Sequence, residues 1–129
     1  MNDNKRKGKM GEIAAARYLR KIGVNVLAAN YATHFGEIDI IARDGDTIAF
    51  VEVKTRNPAT MIKRPAYCVD YEKQHRIKLT AAEFVKRYSL KNKFRFDIIE
   101  VYIGDGDTID TAKVEYIKEA FTVKKNERI

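Results

Sequence analysis

A chain of 129 residues is the size of one domain and is long enough to bury a core; with 45% hydrophobic residues it is not a disordered polymer. Its 25 Lys and Arg outweigh 18 Asp and Glu for a net charge of +7, which favours polyanionic partners, nucleic acid first, although the same excess also serves simple solubility. One cysteine, Cys68, rules out an internal disulfide and has no His or Cys at zinc-site spacing, and no apolar run approaches the ~20 residues of a membrane span, so a cytoplasmic protein without membrane association is expected.

The N-terminal stretch MNDNKRKGKMGE is basic, but no signal-type apolar segment follows it. The periodicity predicts a helix over Gly8 to Ile22, with Met10, Ala14, Tyr18 and Ile22 on one stripe, Ala15 and Leu19 widening it, and Gly23 placed to stop it. Val24 to Tyr31 reads as a first strand. Gly36 to Ala42 and Thr47 to Thr55 read as two more, joined through Arg43-Asp44-Gly45-Asp46. Asn57 to Ala66 holds both prolines and little periodicity, as a loop would. A second helix follows over Asp70 to Tyr88, with Gln74, Ile77, Ala81, Phe84 and Tyr88 on one face, and Lys93 to Ile103 reads as a strand. After the Asp105-Gly106 turn, Val114 to Phe121 adds a last edge strand or a short helix. The order helix, three strands, helix, strand indicates an α/β domain whose central mixed β-sheet is flanked by helices, in a single unit spanning 1–129 with basic tails at 1–7 and 123–129.

A tight turn centred on Asp44-Gly45 would set Asp39 opposite Phe50 and Glu37 opposite Glu52. Ile38, Ile40, Ala42, Ala49, Val51 and Val53 would then form one apolar face. The other face would carry Ile41, Ile48 and Phe50 near the turn and Glu37, Asp39, Glu52 and Lys54 at the far end. Such a patch can simply face solvent. Yet like charges directly opposed on paired strands repel, and carboxylates crowded beside a covered apolar surface invite raised pKa values or a divalent cation. Mg²⁺ suits one or two carboxylates best, because it keeps its waters and accepts phosphate oxygens. On a basic protein such an ion points to phosphodiester hydrolysis, with Lys54 on the same face to orient water or neutralise charge on the scissile group.

Asp39, followed thirteen residues on by Glu52-Val53-Lys54, resembles the core motif of the PD-(D/E)XK nuclease superfamily, with Ile38 where a proline is usual. The tripeptide alone says little, since Asp3-Asn4-Lys5 matches it too; its place on the second strand of the hairpin is what gives it value. GEIDIIARDGDTIAFVEVKTR, with the upstream G-x-x-G-E helix, the Lys-Gln pair of the second helix and the RFDII strand, resembles the YraN family of uncharacterised, nuclease-like bacterial proteins, from about Gly8 to Phe121. The segment Asn57 to Cys68 departs from that pattern, lacking a glycine before the second helix.

The resemblance implies a restriction-endonuclease-like core similar to Holliday-junction resolvases. It implies that Asp39 and Glu52 hold Mg²⁺ or Mn²⁺ with Glu12 assisting, and that Lys54 is catalytic with Gln74 in support. Glu12 can equally be a helix-start carboxylate favoured by the dipole, and Gln74 an amphipathic boundary residue. Glu37, Lys73 and His34 are placed behind the site or against substrate, with an exposed neighbour of Glu52 the alternative for Glu37 and plain surface placement the alternative for His34. Asp97 is expected in an ion pair with Arg95 or Arg76. The function that follows is metal-dependent endonucleolytic cleavage of DNA, branched or flapped forms included, by a chain for which homodimerisation would suit two-fold substrates. The alternatives are a nucleic-acid-binding module that keeps the fold without cutting, and a protein-interaction adaptor in DNA processing.

Overall fold

Two helices pack on opposite faces of one five-stranded sheet in the structure, a computed structural model that describes residues 3–59, 70–124 and 127. In chain order the elements are α1 (Asp3–Lys21), β1 (Asn25–Thr33), β2 (Gly36–Asp44), β3 (Thr47–Arg56), α2 (Tyr71–Arg87), β4 (Lys93–Tyr102) and β5 (Lys113–Phe121). The sheet order follows the chain, β1-β2-β3-β4-β5. Among the described residues only β3 and β4 run parallel, and α2 lies in the connection between them, as a parallel pair requires. The expected α/β class and mixed sheet are therefore present, and the last segment is an edge strand rather than a helix. Cys68 and the expected loop from Thr60 onward lie outside the described residues.

Each face has its own core. On one, Ala14, Ala15 and Leu19 of α1 cover Ile40, Ala42, Ala49, Val51, Ile99 and Val101. On the other, Ile77, Ala81 and Phe84 of α2 cover Ile38, Ile41, Phe50, Phe96 and Ile98, with Phe50, Phe96 and Phe121 stacked in sequence. Helix α1 seats unusually close to the sheet because Gly11 has no side chain: a Cβ there would lie 1.9 Å from Thr55 Oγ1 on β3. Helix α2 starts at Asp70, whose side chain accepts the Lys73 N–H at 2.9 Å, an N-cap that satisfies one of the helix's free donors.

Three expectations are corrected. Ile41, not Asp39, faces Phe50, so the β2–β3 register is displaced by two residues. The turn is centred on Gly45-Asp46, which puts glycine at the first central position with φ +60, where the primed hairpin turns demand it. Second, Ile38 joins Ile41 on the α2 face instead of Ile40 on the α1 face. Strict alternation breaks at Asp39, opposite Asn30 of β1, which adopts a left-handed φ of 51°. Third, α1 begins at Asp3, ahead of the expected start at Gly8. Asp3 to Lys7 form the first turns of α1, where Asp3 pairs with Arg6 at 2.8 Å and Lys7 reaches Asp105 at 2.6 Å. At the other end Val123 packs on the α2-side core, and Glu127 accepts from the buried Lys78 at 2.7 Å.

Asp97 is fully buried and is tied by Arg95, as the sequence suggests, through two 3.0 Å bonds from Nε. The Tyr116 hydroxyl and the Glu119 N–H, both from β5, complete its shell at 2.5 Å and 2.9 Å. This carboxylate anchors the edge strand.

Candidate active site

The site forms where the β2–β3 ladder stops. Paired residues run from Asp44 and Thr47 as far as Ile40 and Val51. Beyond that, the Val53 N–H donates to Asp39 Oδ2 at 2.8 Å, so a side chain caps a strand donor and the two strands part like a fork. Asp39 and Glu52 stand in the fork and are the two residues shared by both clefts that open onto it. One cleft, about 490 Å³, is walled by Lys7, Gly8 and Glu12 of α1 and by Thr55 and Arg56 at the end of β3. The other, about 410 Å³, is walled by Gly36 and Glu37 of β2 and by Lys73 and Arg76 of α2.

Two carboxyl groups this close cannot both be charged cheaply. Burial, then the neighbouring Glu52 charge and a shared hydrogen bond with it, push Asp39 up to about 8, although the Val53 amide acts in the opposite sense. Glu52, only 7% exposed, has its charge met by the Lys73 ammonium, 3.0 Å from Oε1. Burial works most strongly against the charge on Lys73, but Glu52, joined by Asp39 and Asp70, raises the lysine above its ordinary pKa. Lys54 is shifted the other way. Burial first, then repulsion from Arg56 and Lys73, lowers it below the usual lysine range. Among the described residues Lys54 makes neither a hydrogen bond nor an ion pair, and a half-buried amine of lowered pKa is suited to accepting or positioning a proton.

Glu12 lines the α1-side cleft with Asp39 and Glu52, and its Oε1 accepts from Asn30 Nδ2 at 3.0 Å. The same nitrogen donates to Glu37 Oε1 at 3.0 Å, so Asn30 bridges the two outer acids. Gln74 is half-buried on α2, next to Lys73; it is Lys73, not Gln74, that lines the α2-side cleft. His34 stands apart, in the β1–β2 turn, where it lines a separate cleft with Phe35.

Two features escaped the sequence reading. One is Asn30, whose signal is an Asn inside a strand pattern, a residue depleted from strands and tolerant of left-handed φ. The other is the direct pairing of Lys73 with Glu52, which depends on how α2 docks. Among the described residues no three His, Cys, Asp or Glu side chains form a ready metal cage. A two-carboxylate donor set nonetheless fits an ion that keeps most of its waters, and Lys73 already shows that a positive charge settles beside Glu52.

Comparison with known proteins supplies the lineage. Residues 11–101 match the model of the uncharacterised protein family UPF0102. The chain belongs to the UPF0102 family. A UPF0102 protein of Alkaliphilus metalliredigens is 43% identical over 115 residues, covering 88% of this chain and 96% of that protein. One from Dictyoglomus turgidum is 43% identical over 121 residues, covering 92% and 99%, and one from Syntrophus aciditrophicus 42% over 122 residues, covering 94% and 92%. The UPF0102 match takes in Glu12, Asp39, Glu52, Lys54 and Lys73, and ends before β5. None of the described helices is long and apolar enough to cross a membrane.

Proposed function

We propose that this UPF0102 protein is a metal-dependent endonuclease acting on DNA. The reading rests on one observation above the others: Asp39 and Glu52 share the mouth of the β2–β3 fork, with Lys54 two residues further along β3. That is the arrangement expected of a PD-(D/E)XK nuclease, and the net charge of +7 suits a phosphate polymer.

Asp39 and Glu52 would hold Mg²⁺ or Mn²⁺. When bound, the ion would lower the pKa of water and offset charge on the phosphate. The protein's own part is positional. Val53 fixes the Asp39 carboxylate through its amide, and Lys54, kept from full solvation, orients the water and meets the negative charge that develops on the phosphate oxygens. Asn30 holds Glu12 and Glu37 at the rim, and Lys73 must release Glu52 before an ion can take its place.

A second reading has an observation in its favour. Glu52 is neutralised by Lys73, and no third acid completes a cage among the described residues, which is how a DNA-binding module without turnover would look. The two readings separate in one assay. Linear, flapped and four-way DNA are incubated with Mg²⁺ or Mn²⁺, alongside Asp39→Ala and Glu52→Ala. The nuclease reading expects cleavage that both substitutions abolish. Cleavage that survives both would remove these acids from the mechanism, and DNA binding without cleavage would favour the module.

A further inference from the structure

The β1–β2 turn and the outer face of α2 line a cleft of about 820 Å³, which the acid pair does not line. Its floor is Leu79 and Ala82 of α2, one side is the His34-Phe35 turn, and the far rim carries Lys86 and Arg87. The turn is held in place by its own hydrogen bond, from the Phe35 N–H to Thr33 Oγ1 at 3.1 Å. His34 and Phe35 lie with ring centroids 4.0 Å apart, His34 exposed and Phe35 half-buried. The one acid in the wall, Glu83, has an oxygen that is buried without a hydrogen-bond partner among the described residues.

This cleft shares both walls with the α2-side cleft of the acid pair. Along the turn, His34 and Phe35 are followed by Gly36 and Glu37; along α2, Lys73 and Arg76 precede Leu79 and Lys86. The two clefts meet where Gly36 touches α2, since a Cβ on Gly36 would lie 3.3 Å from that of Arg76. At 1.5 Å rise per residue, Lys86 lies about 20 Å along α2 from Lys73, the span of a short run of nucleotides.

Cations suited to phosphates, an aromatic shelf and an apolar floor are what a polynucleotide with exposed bases needs. A duplex keeps its base faces stacked inside and cannot use the floor. Glu83 disfavours a phosphate at that point and offers an acceptor to a base amino group. We propose that the cleft between the His34-Phe35 turn and α2 binds unpaired nucleotides of a DNA strand whose phosphodiester lies at Asp39 and Glu52. The inference builds on the nuclease reading and narrows its substrate to DNA with a single-stranded arm, such as a flap or a fork.

The test is binding in EDTA, where no cleavage occurs. Fluorescence anisotropy compares the full chain with Phe35→Ala, Lys86→Ala and Arg87→Ala on a labelled oligothymidylate of about 15 nucleotides, a flapped duplex and a blunt duplex. Phe35→Ala is expected to weaken single-strand and flap binding by about tenfold and leave the blunt duplex within twofold, the size of one lost stacking contact. The two exposed helix variants each reduce the slope of log K against log salt by about 0.7 on the single strand, whereas Phe35→Ala leaves that slope unchanged. Circular dichroism checks that each variant is folded.

Single-strand binding indifferent to all three substitutions overturns the proposal, as does an equal loss on single strand and blunt duplex. So does a wild-type chain that ignores single strands and takes an apolar peptide there instead. The outcome separates from that of the nuclease assay. A chain that binds through Phe35 but never cuts keeps the subsite and loses the nuclease; one that cuts with Phe35 irrelevant does the reverse.

Discussion

Gly8 and Gly11 lie one turn apart on α1 and should respond in opposite ways to the same substitution. In a helix interior, Gly to Ala is worth up to about 1 kcal/mol in favour of folding. At Gly8 a Cβ meets nothing within 4 Å, so Gly8→Ala should collect that gain. At Gly11 the Cβ would lie 1.9 Å from Thr55 Oγ1, with Thr55 Cβ at 3.1 Å and Cγ2 at 3.3 Å behind it. Rotating the threonine does not clear the space, because its own Cβ is already tight. Helix α1 must lift, at an overpacking cost of about 1–3 kcal/mol. The difference between the two variants is that cost alone, since the helix gain is common to both. With a urea m-value of about 1–3 kcal/mol per molar, it appears as a midpoint separation of about 1 M. Thr55→Ala in the Gly11→Ala background removes the 1.9 Å clash and should recover at least about 1 kcal/mol in a double-mutant cycle. Equal stabilisation by Gly8→Ala and Gly11→Ala would refute the seating of α1 on β3, and with it the placement of Glu12 in the cleft.

Two further outcomes concern the acid pair. Asp39 has a folded pKa of about 8, above its unfolded value, so between about pH 4 and 8 the folded chain binds a proton that the unfolded chain has lost. Its contribution to stability therefore falls as pH rises through that window and levels off above it. Asp39→Asn should remove this loss, so that its advantage in thermal midpoint over wild type grows from pH 5 to pH 8; a constant difference would contradict the raised pKa. For Lys73, which sits on Glu52 at 3.0 Å, Lys73→Met should increase Mn²⁺ affinity several-fold by calorimetry, because the ion no longer competes with an ammonium. Unchanged or weaker Mn²⁺ binding would mean that Glu52 is not the contested ligand.

Much of this layout can be read from local pattern. The apolar stripe of α1, the alternation in β3 and the Asp-Gly turn signal each state their element, because a helix or strand buries one regular face. What could not be read is where regularity fails. A one-residue difference in the centre of the β2–β3 turn moves the register by two, and a glycine at 45 suits either centre, so the pairing of Asp44 with Thr47 is what settles it. Ile38 changes faces because Asp39 spends its carboxylate on the Val53 amide, an interaction no hydrophobic period encodes. The helical start at Asp3 carries charge pairs with Arg6 and Lys7, which cannot be told from a basic tail by composition alone. Asp39, Glu52 and Lys54 are legible because they lie thirteen and two residues apart on one hairpin. Asn30 reaches the site from β1, and its distance in the chain hides it, as it hides the pairing of Lys73 with Glu52.

The fork at Asp39 and Glu52 opens toward α1 on one side of the sheet and toward α2 on the other. A dead-end pocket accepts only the terminus of a polymer, whereas a notch open at both ends lets a filament lie across it with its two ends running off in different directions. Under the proposed nuclease reading, chain ends are then no part of what the notch must recognise, and a flap on a closed circle would be as admissible a guest as one on a linear duplex.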